Sequence, residues 1–143
     1  MASNTRPQFK HPIPTAGQNA QELIWITAEM LTAAVKPNDG LRQINWNGLK
    51  VIIRSMISLD EMQELVSLVW EGCWDEASVH PELADFLLRR AVIVFYTNVN
   101  LPESVEEQYA YLYGTDLYEK VTPCISASQL KAIENALKIY LSK

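Results

Sequence analysis

Hydrophobic residues recur at helical spacing along most of the chain, which predicts a largely helical protein. The first run predicts a helix from Gln18 to Lys36, and the run Pro37-Asn38-Asp39-Gly40 should end it. A second run has the spacing i, i+3, i+4, i+7, i+8 and predicts a helix over residues 49–57; it consists of Leu49, Ile52, Ile53, Met56 and Ile57. A strand in which Leu49, Val51 and Ile53 alternate is the weaker alternative, because it would place Ile52 on the polar face.

Three serines mark the starts of further helices. Ser58, Ser104 and Ser126 are each followed three residues later by Glu or Gln, which is the spacing of a capping box. The first of these helices should end at Gly72 in a left-handed cap. The second should close at Gly114, a further turn or two should precede Pro123, and the third should run almost to the C-terminus.

One more helix is predicted from His80-Pro81, with proline in its first turn, into the apolar run 91–95. A strand over residues 91–97 is the alternative, since Val, Ile, Phe and Tyr favour sheets. We therefore predict an all-α fold, an irregular bundle of about six helices, in which residues 18–143 form a single helical domain. Residues 1–17, with three prolines, should form a flexible arm, or an extended one that becomes ordered against a partner.

Composition places the chain among ordinary globular proteins, with 48% hydrophobic and 20% charged residues. The longest apolar run, Ala91 to Tyr96, is too short to cross a bilayer, and residues 1–17 do not resemble a secretory signal. We expect a cytoplasmic protein that does not engage membranes. Cys73 and Cys124 lie far apart in the sequence and outside any metal-binding motif, so reduced thiols are expected, with a single disulfide as the alternative.

Familiar catalytic chemistry is not indicated by the sequence. Its two histidines, His11 and His80, have no candidate nucleophile nearby, and the common phosphate-loop, dinucleotide, zinc-protease and calcium-loop motifs are absent. We predict a protein that is not an enzyme and has no catalytic, cofactor-binding or metal-binding residues. Arg89-Arg90 is the only adjacent basic pair, and the net charge is −5, so direct binding of nucleic acid is not expected.

Charge is divided unevenly along the chain. Residues 1–54 carry six basic and three acidic residues, and residues 120–143 carry four and one, so each end is +3. Residues 55–119 hold thirteen acidic residues against Arg89 and Arg90, a net of −11. If the central acids share a face, they should attract a basic partner. That partner is either the basic end of another copy or a basic groove on another protein, unless the ends cancel the centre internally.

Aromatic residues suggest where contacts form. Tyr109 and Tyr113 share one face of a helix while Tyr111 points elsewhere, so some of these rings should be exposed. Tyrosine and tryptophan are favoured at protein interfaces. The predicted interaction residues are Asp60, Glu61, Glu64, Trp74, Asp75, Glu76, Tyr109 and Tyr111.

Residues 91–118 provide a resemblance. The run Ala91 to Glu103, followed by Glu107-Gln108-Tyr109 and by Tyr113-Gly-Thr-Asp-Leu-Tyr118, resembles segments of small proteins of tailed phages and prophages. This resemblance implies a phage gene product, located in the virion or in the cytoplasm of a bacterial host. It carries over no functional residue.

Together these observations predict a non-enzymatic interaction or assembly protein, as a virion or assembly component, that contacts a protein partner or copies of itself. The alternative is an acidic inhibitor of a host nucleic-acid enzyme, of the anti-CRISPR type, whose carboxylates mimic phosphates.

Overall fold

The computed structural model describes residues 24–37 and 40–142, which belong to two compact units, Met1–Lys36 and Pro37–Lys143. The predicted arm, residues 1–17, and the first residues of the helix predicted from Gln18 lie outside the described residues.

In the first unit, helix α1 spans Ala28–Ala34 and is shorter than predicted. The Thr27 hydroxyl accepts a hydrogen bond from the Met30 N–H at 3.1 Å and thereby caps the helix start. Residues 24–26 are not helical, and every described residue of this unit is exposed. Its described apolar side chains include Ile24, Ile26 and Leu31, which are 76%, 71% and 56% exposed.

The second unit begins with an antiparallel hairpin, in which β1 (Leu41–Trp46) pairs with β2 (Leu49–Arg54). Asn47 and Gly48 form the turn with φ angles of 52° and 81°, as a two-residue type I′ hairpin requires. The helix predicted over residues 49–57 is therefore wrong. Alternation decides the outcome: Val51 and Ile53 are buried, and Ile52, between them, points to the opposite face.

Five further helices follow the hairpin. Their bounds are α2 Leu59–Gly72, α3 Ala84–Tyr96, α4 Val105–Gly114, α5 Leu117–Val121 and α6 Ala127–Leu141. Short 3-10 turns, Pro81–Leu83 and Thr122–Cys124, precede α3 and α6. The helical reading of residues 91–96 is thus confirmed over the strand alternative. The predicted all-α class is confirmed for the helical majority and wrong for residues 41–54.

Serine caps start three of these helices, as predicted. Ser58 and Glu61 form the complete capping box, whereas Ser126 accepts from the Gln129 N–H only. The Gln129 side chain instead accepts from the Ile57 N–H at 2.9 Å and donates to the Ile57 carbonyl at 3.0 Å. It also accepts from the Tyr96 hydroxyl at 2.5 Å. Gln129 therefore ties the segment before α2 and the end of α3 to the start of α6.

Gly72 ends α2, but the predicted left-handed cap is wrong, because the cap residue Cys73 and the helix end stay in the right-handed region. The lack of a Cβ at Gly72 allows close packing of the two helices. A Cβ at this position would lie 2.8 Å from Cδ1 of Leu87 on α3. The absence of a side chain lets α3 approach α2.

The core lies between α2, α3 and α6, with the buried face of β2 and the short helices packed around it. Its most deeply buried large side chains are Ile53, Leu65, Ile93, Tyr96, Leu112, Leu117 and Ile133. Both cysteines are free thiols, with Cys73 buried and Cys124 partly buried. Burial raises the pKa of the Cys73 thiol, which keeps it protonated.

Candidate interaction surface

Arg89 joins three helices at one side of the second unit. From α3 its guanidinium forms ion pairs with Asp85, one turn earlier, at 3.1 Å and with Glu119 on α5 at 3.2 Å. It also lies over the rings of Tyr113 and Tyr118, 4.5 and 4.7 Å from their centroids. A planar guanidinium can stack and bond in its plane at the same time. Arg89 thus fixes α4 and α5 against α3.

A row of aromatic rings extends from this arginine along α3 and α4. Tyr113 stacks on Tyr109 with centroids 4.6 Å apart, and Tyr109 contacts Phe86 on α3 at 5.9 Å. The Tyr113 hydroxyl donates a hydrogen bond to Asp85. Burial, with a further contribution from Asp85, raises the pKa of Tyr113, so its hydroxyl stays protonated and remains a donor. The shared face predicted for Tyr109 and Tyr113 is therefore confirmed.

An open groove of about 520 Å³ lies between α3 and α4 and is called here the α3–α4 groove. It is lined chiefly by Glu82, Leu83, Phe86, Val105, Tyr109 and Tyr113. Val105 is 58% exposed and Tyr109 is 56% exposed, although both are largely apolar. Asp85 and Arg90 also border the groove. Arg90 lies over the Phe86 ring at 5.5 Å and bonds to Gln108 at 3.3 Å.

The acidic rim of the α3–α4 groove consists of two carboxylates, Glu82 and Asp85. Glu82 also lies 3.3 Å from Nδ1 of His80. Glu106 lies on α4 one turn before Tyr109 but is not part of the groove lining. Arg89 already neutralises much of the Asp85 charge. Glu82 and Glu106 are exposed. An apolar, aromatic floor with such a rim can bind an apolar side chain together with a neighbouring cation.

Of the predicted interaction residues, Asp60, Glu61 and Glu64 lie near the start of α2. Glu61 accepts two hydrogen bonds from the Arg54 guanidinium, at 2.7 and 3.1 Å, and one from the Ser58 N–H at 3.0 Å. The Arg54 hydrogen bonds are the largest cause of a Glu61 pKa of about 2. Glu61 therefore holds the start of α2 against β2, while Asp60 and Glu64 are exposed.

Trp74, Asp75 and Glu76 lie in the loop after α2. Asp75 accepts from the N–H groups of Ala77 and Ser78, both at 3.0 Å, and pairs with His80 Nε2. The His80 hydrogen bond holds the pKa of Asp75 well below its usual range and, as its largest cause, raises the pKa of His80. Asp75 thus stabilises the conformation of this loop. Glu76 is exposed.

Ser78, His80 and Asp75 are the residue types of a hydrolase triad, but their geometry differs from one. In a triad the serine and the carboxylate contact opposite ring nitrogens. Here both Ser78 Oγ and Asp75 approach Nε2, and Nδ1 lies 3.3 Å from Glu82. A ring nitrogen that donates to Asp75 cannot also accept the serine proton. This loop is therefore an ion-paired turn and not an activated serine.

Trp74 belongs to a separate aromatic cluster. Its ring lies 5.4 Å from that of Trp70 on α2, and Trp70 lies 5.9 Å from Tyr140 on α6. Tyr111 is exposed on the side of α4 that faces away from the stacked rings. Asp60 and Glu64 lie about 18 and about 12 Å of helix axis before Gly72, where α2 ends. The predicted acids therefore form two groups, one in the first half of α2 and one in the loop after it.

Sequence reasoning missed most of the α3–α4 groove, including Leu83, Phe86, Val105 and the acidic rim. The one available signal was the shared face of Tyr109 and Tyr113. Within residues 24–37 and 40–142, no group of three or more His, Cys, Asp or Glu residues is arranged to hold a metal ion. In the same part of the chain, no helix combines the length and apolar character needed to cross a membrane.

Comparisons with family models, curated proteins and solved structures gave no significant match to this chain.

Proposed function

We propose that this chain is a non-enzymatic interaction or assembly protein whose contact surface is the α3–α4 groove. The observation that carries the proposal is the exposed, largely apolar surface of Val105 and Tyr109 beside a groove of about 520 Å³. Clefts that join apolar area to a few polar groups are typical binding sites.

The groove is held in shape before any partner arrives. Tyr113 is stacked on Tyr109, hydrogen-bonded to Asp85 and covered by Arg89. A ring with few free torsions and fixed neighbours loses little entropy on binding, so more of its burial energy contributes to affinity. This rigidity supports a role in contact.

The acidic rim favours a basic partner, because complementary charge speeds encounter and disfavours acidic competitors. In the phage setting that residues 91–118 suggest, such a protein would be a virion or assembly component. Phosphate mimicry would instead use the exposed acids of α2, Asp60, Glu64 and Glu71, which lie outside the groove. The groove therefore favours assembly over the inhibitor alternative.

Site-specific photocrosslinking tests the proposal. A photoreactive residue replaces Val105 in the full chain, and a matched control replaces Leu49, which is 60% exposed on the hairpin. In cells that produce the protein, Val105 should give a discrete protein–protein product that Leu49 does not give. Adding Tyr109→Ser to the chain with the photoreactive residue at position 105 should remove that product. Equal products at both positions, or a Val105 product that survives Tyr109→Ser, would contradict the proposal.

A further inference from the structure

We infer that Arg90 anchors a binding site for small organic carboxylates that have an apolar body. The site consists of two adjoining hollows that share Arg90 and Val94 in their linings, and together they are called here the Arg90 cleft. The inference goes beyond the proposed contact function and does not depend on it.

The first hollow of the Arg90 cleft is apolar and lies between α2 and α3. Its volume is about 150 Å³, and apart from Arg90 it is lined by Leu68, Val69, Leu87, Ala91, Val94 and Phe95. A hollow of this volume holds a group about the size of a benzene ring or a short alkyl chain. Leu68 and Val94 are 51% and 55% exposed, so a ligand there would cover apolar surface that water now contacts.

The second hollow lies where α3 passes into the loop before α4. Its volume is about 290 Å³, and it is lined by Arg90, Val94, Gln108 and residues 97–101. Two polar side chains of this loop are used by the fold. Asn98 bonds to the backbone of both Lys50 and Ile52 on β2, and Thr97 donates to the Ile93 carbonyl at 2.6 Å. These bonds fix the loop, so the wall of the cleft is in place before a ligand arrives.

Arg90 is the only charged residue in the linings of these two hollows, as the described part of the chain forms them. Its guanidinium lies over the Phe86 ring, 5.5 Å from the centroid, and its Nη1 donates to Gln108 Oε1 at 3.3 Å. Gln108 in turn donates to the Pro102 carbonyl at 2.7 Å. These contacts position Arg90, but its Nε and Nη2 donors have no acceptor within residues 24–37 and 40–142. Two neighbouring N–H donors of one guanidinium match the two oxygens of a carboxylate.

The acids that share the α3–α4 groove with Arg90 are bonded to other groups. Asp85 pairs with Arg89 at 3.1 Å. Glu82 lies 3.3 Å from Nδ1 of His80. Neither acid lines the two hollows of the Arg90 cleft. A ligand carboxylate would therefore give Arg90 the ion pair that the described chain does not provide, while the apolar body of the ligand fills the hollow between α2 and α3.

Titration of the 15N-labelled full chain with hexanoate, followed by NMR, tests the inference. The amide resonances of Leu68, Ala91 and Val94 and the Nε–H resonance of Arg90 should shift and saturate, with Kd on the order of millimolar for so small a ligand. The matched probe 1-hexanol has the same carbon chain without the charge. It should bind about tenfold or more weakly, because it cannot form charge-assisted hydrogen bonds. Equal binding of the two probes would overturn the inference.

Removing the guanidinium tests its role as the anchor. Arg90→Met should raise the Kd for hexanoate about tenfold or more. Arg42→Met removes the same charge at an exposed site on β1 and should leave that Kd unchanged. Hexanoate binding that persists in Arg90→Met, or that is lost in Arg42→Met, would overturn the inference.

A second pair of variants leaves Arg90 in place and blocks it. Val94→Glu puts a carboxylate one helical turn after Arg90, where it would pair with the guanidinium and exclude hexanoate. Ile139→Glu adds the same charge on α6, at a side chain that is 60% exposed, and should bind hexanoate like the wild type. Unchanged binding in Val94→Glu, equal loss in both variants, or no saturable shift of the wild type at millimolar hexanoate would each contradict the site.

Discussion

Replacing Arg89 should loosen the α3–α4 groove without removing any of its apolar lining. The Arg89 side chain is 22% exposed, whereas its partners Asp85 and Glu119 are 66% and 58% exposed. Solvent therefore screens the two ion pairs, which together contribute roughly 1 kcal/mol. Stacking on two tyrosine rings adds about 1 kcal/mol more. Arg89→Met should thus lower the free energy of unfolding by about 2 kcal/mol, and Tm by roughly 5–10 °C.

The neighbouring Arg90 provides the control for this substitution. It makes one hydrogen bond to Gln108 and contacts a single ring, that of Phe86. Arg90→Met should therefore cost less than about 1 kcal/mol. Urea unfolding monitored by circular dichroism measures both values, and the Val105 crosslink should weaken in Arg89→Met. Equal costs for the two variants, or an unchanged crosslink, would refute the view that Arg89 fixes the groove.

Three further predictions concern the turn and two ion pairs. Gly48→Ala should destabilise the protein by about 1 kcal/mol, because φ is +81°, and an unchanged Tm would contradict the turn assignment. The Glu61 pKa of about 2, against an ordinary 4.5, makes its stabilisation present above pH 4.5 and lost as pH falls towards 2. Urea unfolding across that pH range should show a smaller loss of stability in Glu61→Gln than in the wild type. The raised pKa of His80 gives stability that is complete below its ordinary 6.5 and is lost as pH rises through the raised value. His80→Gln should remove that dependence, and an identical pH profile for this variant would contradict the His80–Asp75 pairing.

Helix starts could be predicted from sequence because a serine cap depends only on residues close to it in the sequence. Ser58, Ser104 and Ser126 each accept a backbone hydrogen bond from a residue three positions later. The interaction involves four consecutive residues, so no tertiary information is required. The capping box is incomplete at Ser104 and at Ser126, and at Ser126 the Gln129 side chain bonds to residues distant in sequence, Ile57 and Tyr96. That outcome depends on the assembled fold.

The hairpin was missed because two periodicities overlap over residues 49–57. Leu49, Ile52, Ile53, Met56 and Ile57 fit a helix, but Met56 is exposed, whereas Val51, which only the alternating pattern places in the core, is buried. The deciding local signal was Asn47-Gly48, a pair that readily adopts the two positive φ angles of a tight hairpin. Turn chemistry therefore carried more information here than spacing.

The groove could not be read from the sequence because its parts come from distant positions. Leu83 and Phe86 meet Val105 and Tyr109 because α4 packs against α3 in the folded chain. The interaction role of Asp60, Glu64 and Glu76 stays a prediction; these acids lie in the first half of α2 and in the loop after it. Composition indicated that acids and tyrosines are abundant, but their spatial grouping is a property of helix packing.

The central claim is that the α3–α4 groove is a contact surface, and a substitution on its floor tests it most directly. Val105→Asp and the matched Leu49→Asp place the same charge at side chains of similar exposure. Crosslinking with a soluble bifunctional reagent, in cells producing each full chain, should give the wild-type adducts for Leu49→Asp and lose them for Val105→Asp. Adducts that persist in Val105→Asp, with the fold intact by circular dichroism, would contradict the account.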